Sequence, residues 1–134
     1  MHKLRVLARY PESLARLRVC WENPSAYNCG HCEKCVRTML GLRALGVEHC
    51  VAFPHTLTPE LVRLQEVRPG SVVYWRELLV SGLPPDYHAA VRSAVNSYDT
   101  GLPLRTGKPK REIKRWLYAA RNAARALISP LERG

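Results

Sequence analysis

The sequence predicts a small, mainly α-helical domain with a four-cysteine loop near its start and a basic helix at its end. Apolar residues recur at helical spacing in several segments, and many of these begin at a capping residue or a proline. Four of the five cysteines fall between residues 20 and 35. Leu, Val, Ile and Phe together make up 33 of the 134 residues, which is enough for a modest core.

The first 99 residues are predicted to form the helical domain. Lys3 to Arg9 has the spacing of a short helix that ends before Pro11, and Glu12 to Leu17 has that of a further turn. Leu17 to Trp21 is expected to be extended. Trp21 to Gly30 is expected to be a loop, because it is rich in Asn, Pro, Ser and Gly, which favour turns.

Four more helices are predicted before residue 99. They run from Glu33 to Leu45, from the capping residue Thr58 to about Val67, from Ser71 to Val80, and from Pro84 to Ser97. Gly46 is expected to end the first of them. The positions expected to face the core are Val36, Met39, Leu40, Leu42 or Arg43, Val72, Trp75, Leu78, Leu79, Tyr87, Ala90, Val91 and Ala94.

The C-terminal part of the chain is predicted to be a linker, residues 100–109, followed by a basic amphipathic helix, residues 110–134. Arg105 to Gly134 holds nine basic and two acidic residues, so +7 of the net charge of +10 lies there. Such a surface favours nucleic acid, an anionic membrane or an acidic protein, although the apolar stripe of the same helix also suits packing against a core or partner. The residues expected to contact phosphates are Lys110, Arg111, Lys114, Arg115, Arg121 and Arg125.

The cysteines follow the pattern Cys-x8-Cys-x2-Cys-x2-Cys. Zinc takes four thiolates at the corners of a tetrahedron, and two-residue spacers let neighbouring cysteines reach one ion. The sequence therefore predicts one structural Zn²⁺ bound by Cys20, Cys29, Cys32 and Cys35. Because the four cysteines leave no open position on the ion, a catalytic zinc is not expected.

Three alternatives to zinc remain open. The cysteines can be ordinary core residues, or they can form disulfides, which the absence of an export signal disfavours. An iron–sulfur cluster is the third, but ferredoxin-like runs place a fourth cysteine where this chain has Met39. His31 is expected to hydrogen-bond near the site without binding the ion, and Cys50 is expected to be a buried apolar residue.

Two strings of residues, Leu17–Pro24 and Tyr27–Met39, resemble a known family. The cysteine spacing is similar to the C-terminal zinc site of 7-cyano-7-deazaguanine synthase and its relatives, and the two strings are more similar still to uncharacterised bacterial members of the same superfamily. Those proteins are PP-loop ATP pyrophosphatases, of the adenine nucleotide alpha hydrolase type. The resemblance is clear over about residues 14 to 47. It implies that the four cysteines bind metal and that the whole family protein catalyses ATP-dependent, ligase- or synthase-like chemistry.

The nucleotide-binding segment of that family, Ser-Gly-Gly-x-Asp-Ser, does not occur in this sequence. The chain is therefore not expected to be an enzyme on its own. We expect a non-catalytic zinc-binding module that docks to an ATP-binding catalytic domain or protein in trans, and the start near Lys3 fits a C-terminal module separated from its catalytic half. The alternative is a small basic zinc protein that binds RNA or another polyanion.

The N-terminal residues show no signal peptide, and no segment has the ~20 consecutive apolar residues that span a bilayer. A cytoplasmic location is expected, where thiols stay reduced. No serine, histidine and acid share a spacing that is typical of nucleophilic catalysis.

Overall fold

The structure is a computed structural model, and it describes residues 2–20, 22 and 27–101. These residues form helices and contain no strand, which confirms the predicted helical fold class. The described helices are α1 (His2–Leu7), α2 (Pro11–Ala15), α3 (Glu33–Arg43), α4 (Pro59–Arg63), α5 (Val72–Leu79) and α6 (Pro85–Asp99). The predicted C-terminal helix and most of the predicted linker lie outside the described residues, so the domain boundaries stay predictions.

The core forms where α4 and α5 pack against α6 and where α3 contacts α1 and α5. Trp75 on α5 is completely buried, as are Val36 and Leu40 on α3. All the positions expected to face the core lie in it, although Val72 and Leu79 are only partly buried. The helical spacing of apolar residues therefore identified the inner face of each of these helices.

The N-termini of α4 and α5 are stabilised differently. Thr58 Oγ1 accepts a hydrogen bond of 3.2 Å from the backbone N–H of Leu61, which is the predicted cap of α4. Ser71 makes no such bond to α5. Its hydroxyl instead bonds the backbone N–H and C=O of Arg68, so it stabilises the turn that precedes the helix.

Helix α4 ends at Arg63, earlier than the predicted end near Val67. The side chain of Gln65 bonds back to the end of the helix, where its Nε2 donates to the carbonyl of Leu61 at 2.9 Å. A longer helix would give that carbonyl to the backbone N–H of Gln65, which here bonds Val62 instead. The side-chain amide of Gln65 thus bonds the Leu61 carbonyl in place of the backbone N–H of Gln65, and the helix does not continue.

Candidate metal centre

The structure brings the sulfur atoms of Cys20, Cys29, Cys32 and Cys35 together. All four ligand atoms lie within 4.8 Å of one another, and all four residues are buried. The Sγ atoms of Cys20 and Cys32 are 3.9 Å apart, and those of Cys29 and Cys35 are 3.8 Å apart. The four cysteines therefore form a cluster that can hold a metal ion.

These distances match one tetrahedral ion. With metal–sulfur bonds of ~2.3 Å, the corners of a tetrahedron lie about 3.8 Å apart. The separations are far longer than a disulfide bond of ~2.05 Å, and all five cysteines are free thiols. The disulfide alternative is therefore not realised.

A tight turn from Cys29 to Cys32 sets the spacing of two of the sulfurs. Gly30 has a φ of 74°, which glycine adopts without the steric cost that other residues carry. The turn lets the backbone N–H of Cys32 donate to Cys29 Sγ at 3.2 Å. His31 lies outside the sulfur cluster, and its Nδ1 donates to the carbonyl of Cys29 at 2.8 Å. His31 thus supports the turn, as the sequence predicted.

Helix α3 begins at the cluster. Cys32 is its N-cap residue, and Cys35 lies in its first turn. The backbone N–H groups of a first turn have no partner within the helix and carry partial positive charge, which favours a thiolate. The start of α3 therefore suits the negative charge that four cysteine ligands bring.

Asn28 joins the three chain segments around the cluster. Its Oδ1 accepts hydrogen bonds from the backbone N–H of Val19 and of Cys20, at 2.9 and 3.1 Å. Its Nδ2 donates to the carbonyls of Leu17 and Ala52, at 2.7 and 2.8 Å. The buried side chain thus uses both donors and both lone pairs of the acceptor. The sequence pattern around Asn28 predicts a turn and gives no sign of this role.

Hydrogen bonds among the cysteines shift the pKa values of their thiols. Hydrogen bonds from Cys32 and Cys35 lower the pKa of Cys29 well below its usual range. The hydrogen bond to Cys29 raises the pKa of Cys32, and the bonds to Cys29 and Cys32 raise that of Cys35. The protonation of each of these thiols therefore depends on its neighbours, and binding of four cysteines as thiolates to a metal ion releases protons.

Arg37, two residues after the last cysteine, contacts side chains outside the cluster. It pairs with Glu33 at 3.1 Å, and its guanidinium stacks over the Tyr74 ring at 4.6 Å from the centroid. Arg18 is exposed. The guanidinium of Arg37 is thus held by Glu33 and Tyr74.

Cys50 lies outside the cluster, in a groove of about 230 Å³ that Arg43, His49 and His55 also line. It is half-buried, and its thiol donates to the carbonyl of Leu14 at 3.5 Å. Cys50 was predicted to be a buried apolar residue, and it packs against the core but is only partly buried. His49 and His55 are exposed.

The six C-terminal residues predicted to contact phosphates, Lys110, Arg111, Lys114, Arg115, Arg121 and Arg125, lie outside the described residues. Among the helices that the structure does describe, none is long and apolar enough to cross a membrane.

No family model, no curated protein and no solved structure matches this chain.

Proposed function

We propose that Cys20, Cys29, Cys32 and Cys35 bind one structural Zn²⁺ ion. The observation that carries the proposal is the pair of Sγ–Sγ distances, 3.8 and 3.9 Å, which equal the edge of a tetrahedron around one ion. All four sulfurs are buried and fill a four-coordinate shell, so no position is open for substrate. The ion would link the Cys20 segment to the start of α3.

Zinc is favoured over an iron–sulfur cluster. In a four-iron cluster each cysteine binds a different iron, which places the thiolate sulfurs further apart than they are around one ion. A tetrahedral site of four thiolates is typical of structural zinc.

The test is the metal content of purified protein. We expect one zinc ion per chain in the wild type and a loss of bound zinc in Cys29→Ser and in Cys35→Ser. Cys50→Ser is the matched control, since Cys50 is a thiol outside the cluster, and this variant should keep its zinc. Equal zinc content in all four proteins would contradict the assignment, and stoichiometric iron with acid-labile sulfide would identify a cluster instead.

We further propose that the zinc-stabilised domain is a non-catalytic module of a PP-loop ATP pyrophosphatase-like system. The resemblance over residues 14 to 47 supports this, together with a metal site that is closed to substrate and a sequence without the nucleotide-binding loop. In this account the module docks in the cytoplasm to an ATP-binding catalytic domain or protein, which supplies the ligase- or synthase-like chemistry.

Two observations test the docking. Co-purification should recover a protein that carries a Ser-Gly-Gly-x-Asp-Ser segment, or the DNA upstream of Met1 should encode one in the same reading frame. The isolated chain should not hydrolyse ATP. ATP turnover by the isolated chain, with no such partner found, would contradict the proposal. The alternative of a basic zinc protein that binds RNA through its C-terminal residues stays a prediction.

A further inference from the structure

The segment from α1 to the first cysteine carries a second concentration of basic residues in the sequence. Between residues 2 and 18 there are five basic residues and one acidic residue, Glu12. We call the five basic residues the N-terminal basic surface: Lys3, Arg5, Arg9, Arg16 and Arg18. All five are exposed.

Among residues 2–20, 22 and 27–101, no carboxylate forms an ion pair with these five cations. The ion pairs within that part of the chain involve other arginines, at positions 37, 63 and 76. The segment therefore concentrates five positive charges that are close together in the chain. Such a concentration of unpaired cations attracts polyanions, because each phosphate contact releases condensed counterions.

The backbone that carries these cations is fixed. On α1, Leu4 and Leu7 pack against the core, and at 100° per residue Arg5 lies on the opposite side of the helix. Arg18 lies between two backbone groups that Asn28 holds, the carbonyl of Leu17 and the N–H of Val19. The cations therefore need little ordering of the main chain on binding, which favours affinity.

An exposed aromatic ring lies in the same segment of the chain. Tyr10 separates α1 from α2, and 58% of its surface is exposed. Its backbone is held on both sides, because its N–H donates to the carbonyl of Leu7 and its carbonyl accepts from Ser13 and Leu14. A fixed, exposed ring between arginines is a platform on which an unpaired base stacks.

We propose that the N-terminal basic surface binds single-stranded nucleic acid, with its cations on the phosphates and Tyr10 stacked on a base. Four of the five cations are arginines, whose planar guanidinium matches phosphate oxygens in a bidentate geometry. A membrane fits less well, because the leucines of α1 already pack on the core and are not free to enter a bilayer. The proposal goes beyond the zinc module and does not depend on the metal.

The test compares two triple variants of the full chain that lose the same charge. One carries Arg5→Gln, Arg9→Gln and Arg16→Gln. The matched control carries Arg63→Gln, Arg68→Gln and Arg92→Gln, which are exposed arginines elsewhere on the domain. Binding of a labelled single-stranded RNA of about 12 nucleotides, within the usual range of single-strand sites, is measured by anisotropy from low to high salt.

We expect the first variant to lose about 2 units of the slope of log K against log salt, at ~0.7 per phosphate contact, and to bind about 100-fold more weakly at 0.1 M salt. The control should keep the wild-type slope. The C-terminal basic residues are the same in both variants, so they do not affect the comparison. A third variant, with Arg5→Lys, Arg9→Lys and Arg16→Lys, should recover most of the slope. Equal melting temperatures would show that all variants fold.

Tyr10 supplies an independent readout. Tyr10→Ala should weaken RNA binding at least about fivefold at unchanged salt slope, and Tyr10→Phe should bind like the wild type, because stacking needs the ring and not the hydroxyl.

Two results would overturn the proposal. One is equal RNA binding by the two glutamine variants, which would mean that only net charge matters. The other is a selective loss of binding to phosphatidylserine vesicles, with RNA binding unchanged, which would identify the surface as a membrane contact.

Discussion

The indole Nε1 of Trp75 donates a hydrogen bond of 2.8 Å to Oε1 of Glu33. Trp75 is the completely buried residue of α5, and Glu33 is the first residue of α3. The same oxygen accepts from Arg37 at 3.1 Å. This bond fastens the helix that begins at the cysteine cluster to the core of the domain.

Replacing Glu33 by alanine should destabilise the domain. It leaves the indole N–H of a buried tryptophan without its acceptor, which costs about 1–3 kcal/mol. Glu60→Ala is the matched control, because Glu60 also forms a one-turn pair with an arginine, Arg63, but on the exposed surface. Its expected cost is about 0.5 kcal/mol or less. Urea denaturation measures both, and equal costs would show that the Trp75 bond contributes nothing.

Replacing Asn28 by aspartate should weaken metal binding. The change keeps the shape of the side chain but removes the donors to the carbonyls of Leu17 and Ala52 and adds a negative charge beside the Cys20 backbone. We expect at least a tenfold loss of zinc affinity, as for other groups that orient metal ligands. Asn96→Asp on the exposed side of α6 is the control. A competition titration with a chelator measures both, and unchanged affinity in Asn28→Asp would contradict the role of this side chain.

Replacing Gly30 by alanine should cost more than the same change at Gly46. Both residues have positive φ, 74° and 81°, so both variants carry the backbone strain of about 1–2 kcal/mol. A Cβ on Gly30 would also lie 3.2 Å from Cδ2 of His55 and 3.3 Å from Cδ of Pro54, whereas one on Gly46 meets no atom within 4 Å. The difference in melting temperature between the two variants therefore measures the effect of the Cβ contacts at Gly30. A lower melting temperature for Gly46→Ala would contradict the tight packing of the turn.

The stability of the domain should fall at alkaline pH through Tyr87. Burial raises the pKa of this phenol, whose hydroxyl donates to the carbonyl of Leu57 at 2.8 Å. A raised folded-state pKa means that the stabilisation is complete below the unfolded value of about 10 and is lost as the pH rises through the folded value. The difference in unfolding free energy between wild type and Tyr87→Phe should therefore shrink above that pH. A constant difference would mean that the phenol does not titrate with folding.

The sequence predicted the parts of this structure that depend on local spacing. The cysteines at positions 29, 32 and 35 converge because a tight turn and the first turn of α3 bring near neighbours together, and the apolar stripes of α3, α5 and α6 identified the buried faces. The sequence did not predict contacts between residues far apart in the chain. The Trp75–Glu33 bond spans 42 residues, and the bond from Asn28 to Ala52 spans 24.

The early end of α4 was missed for a related reason. Helical propensity alone allowed the helix to continue to Val67, but the buried Gln65 side chain bonds the carbonyls of Leu61 and His31. The second of these bonds joins the end of α4 to the turn between two cysteines, 34 residues earlier. That bond forms only once the chain has folded, so no local sequence pattern predicts it.

X-ray absorption at the zinc edge of the purified protein tests the central claim most directly. We predict one zinc ion per chain, with four sulfur neighbours at ~2.3 Å and no nitrogen or oxygen neighbour in the first shell. A protein without stoichiometric zinc, or a shell in which nitrogen or oxygen replaces some of the sulfurs, would contradict the four-cysteine site.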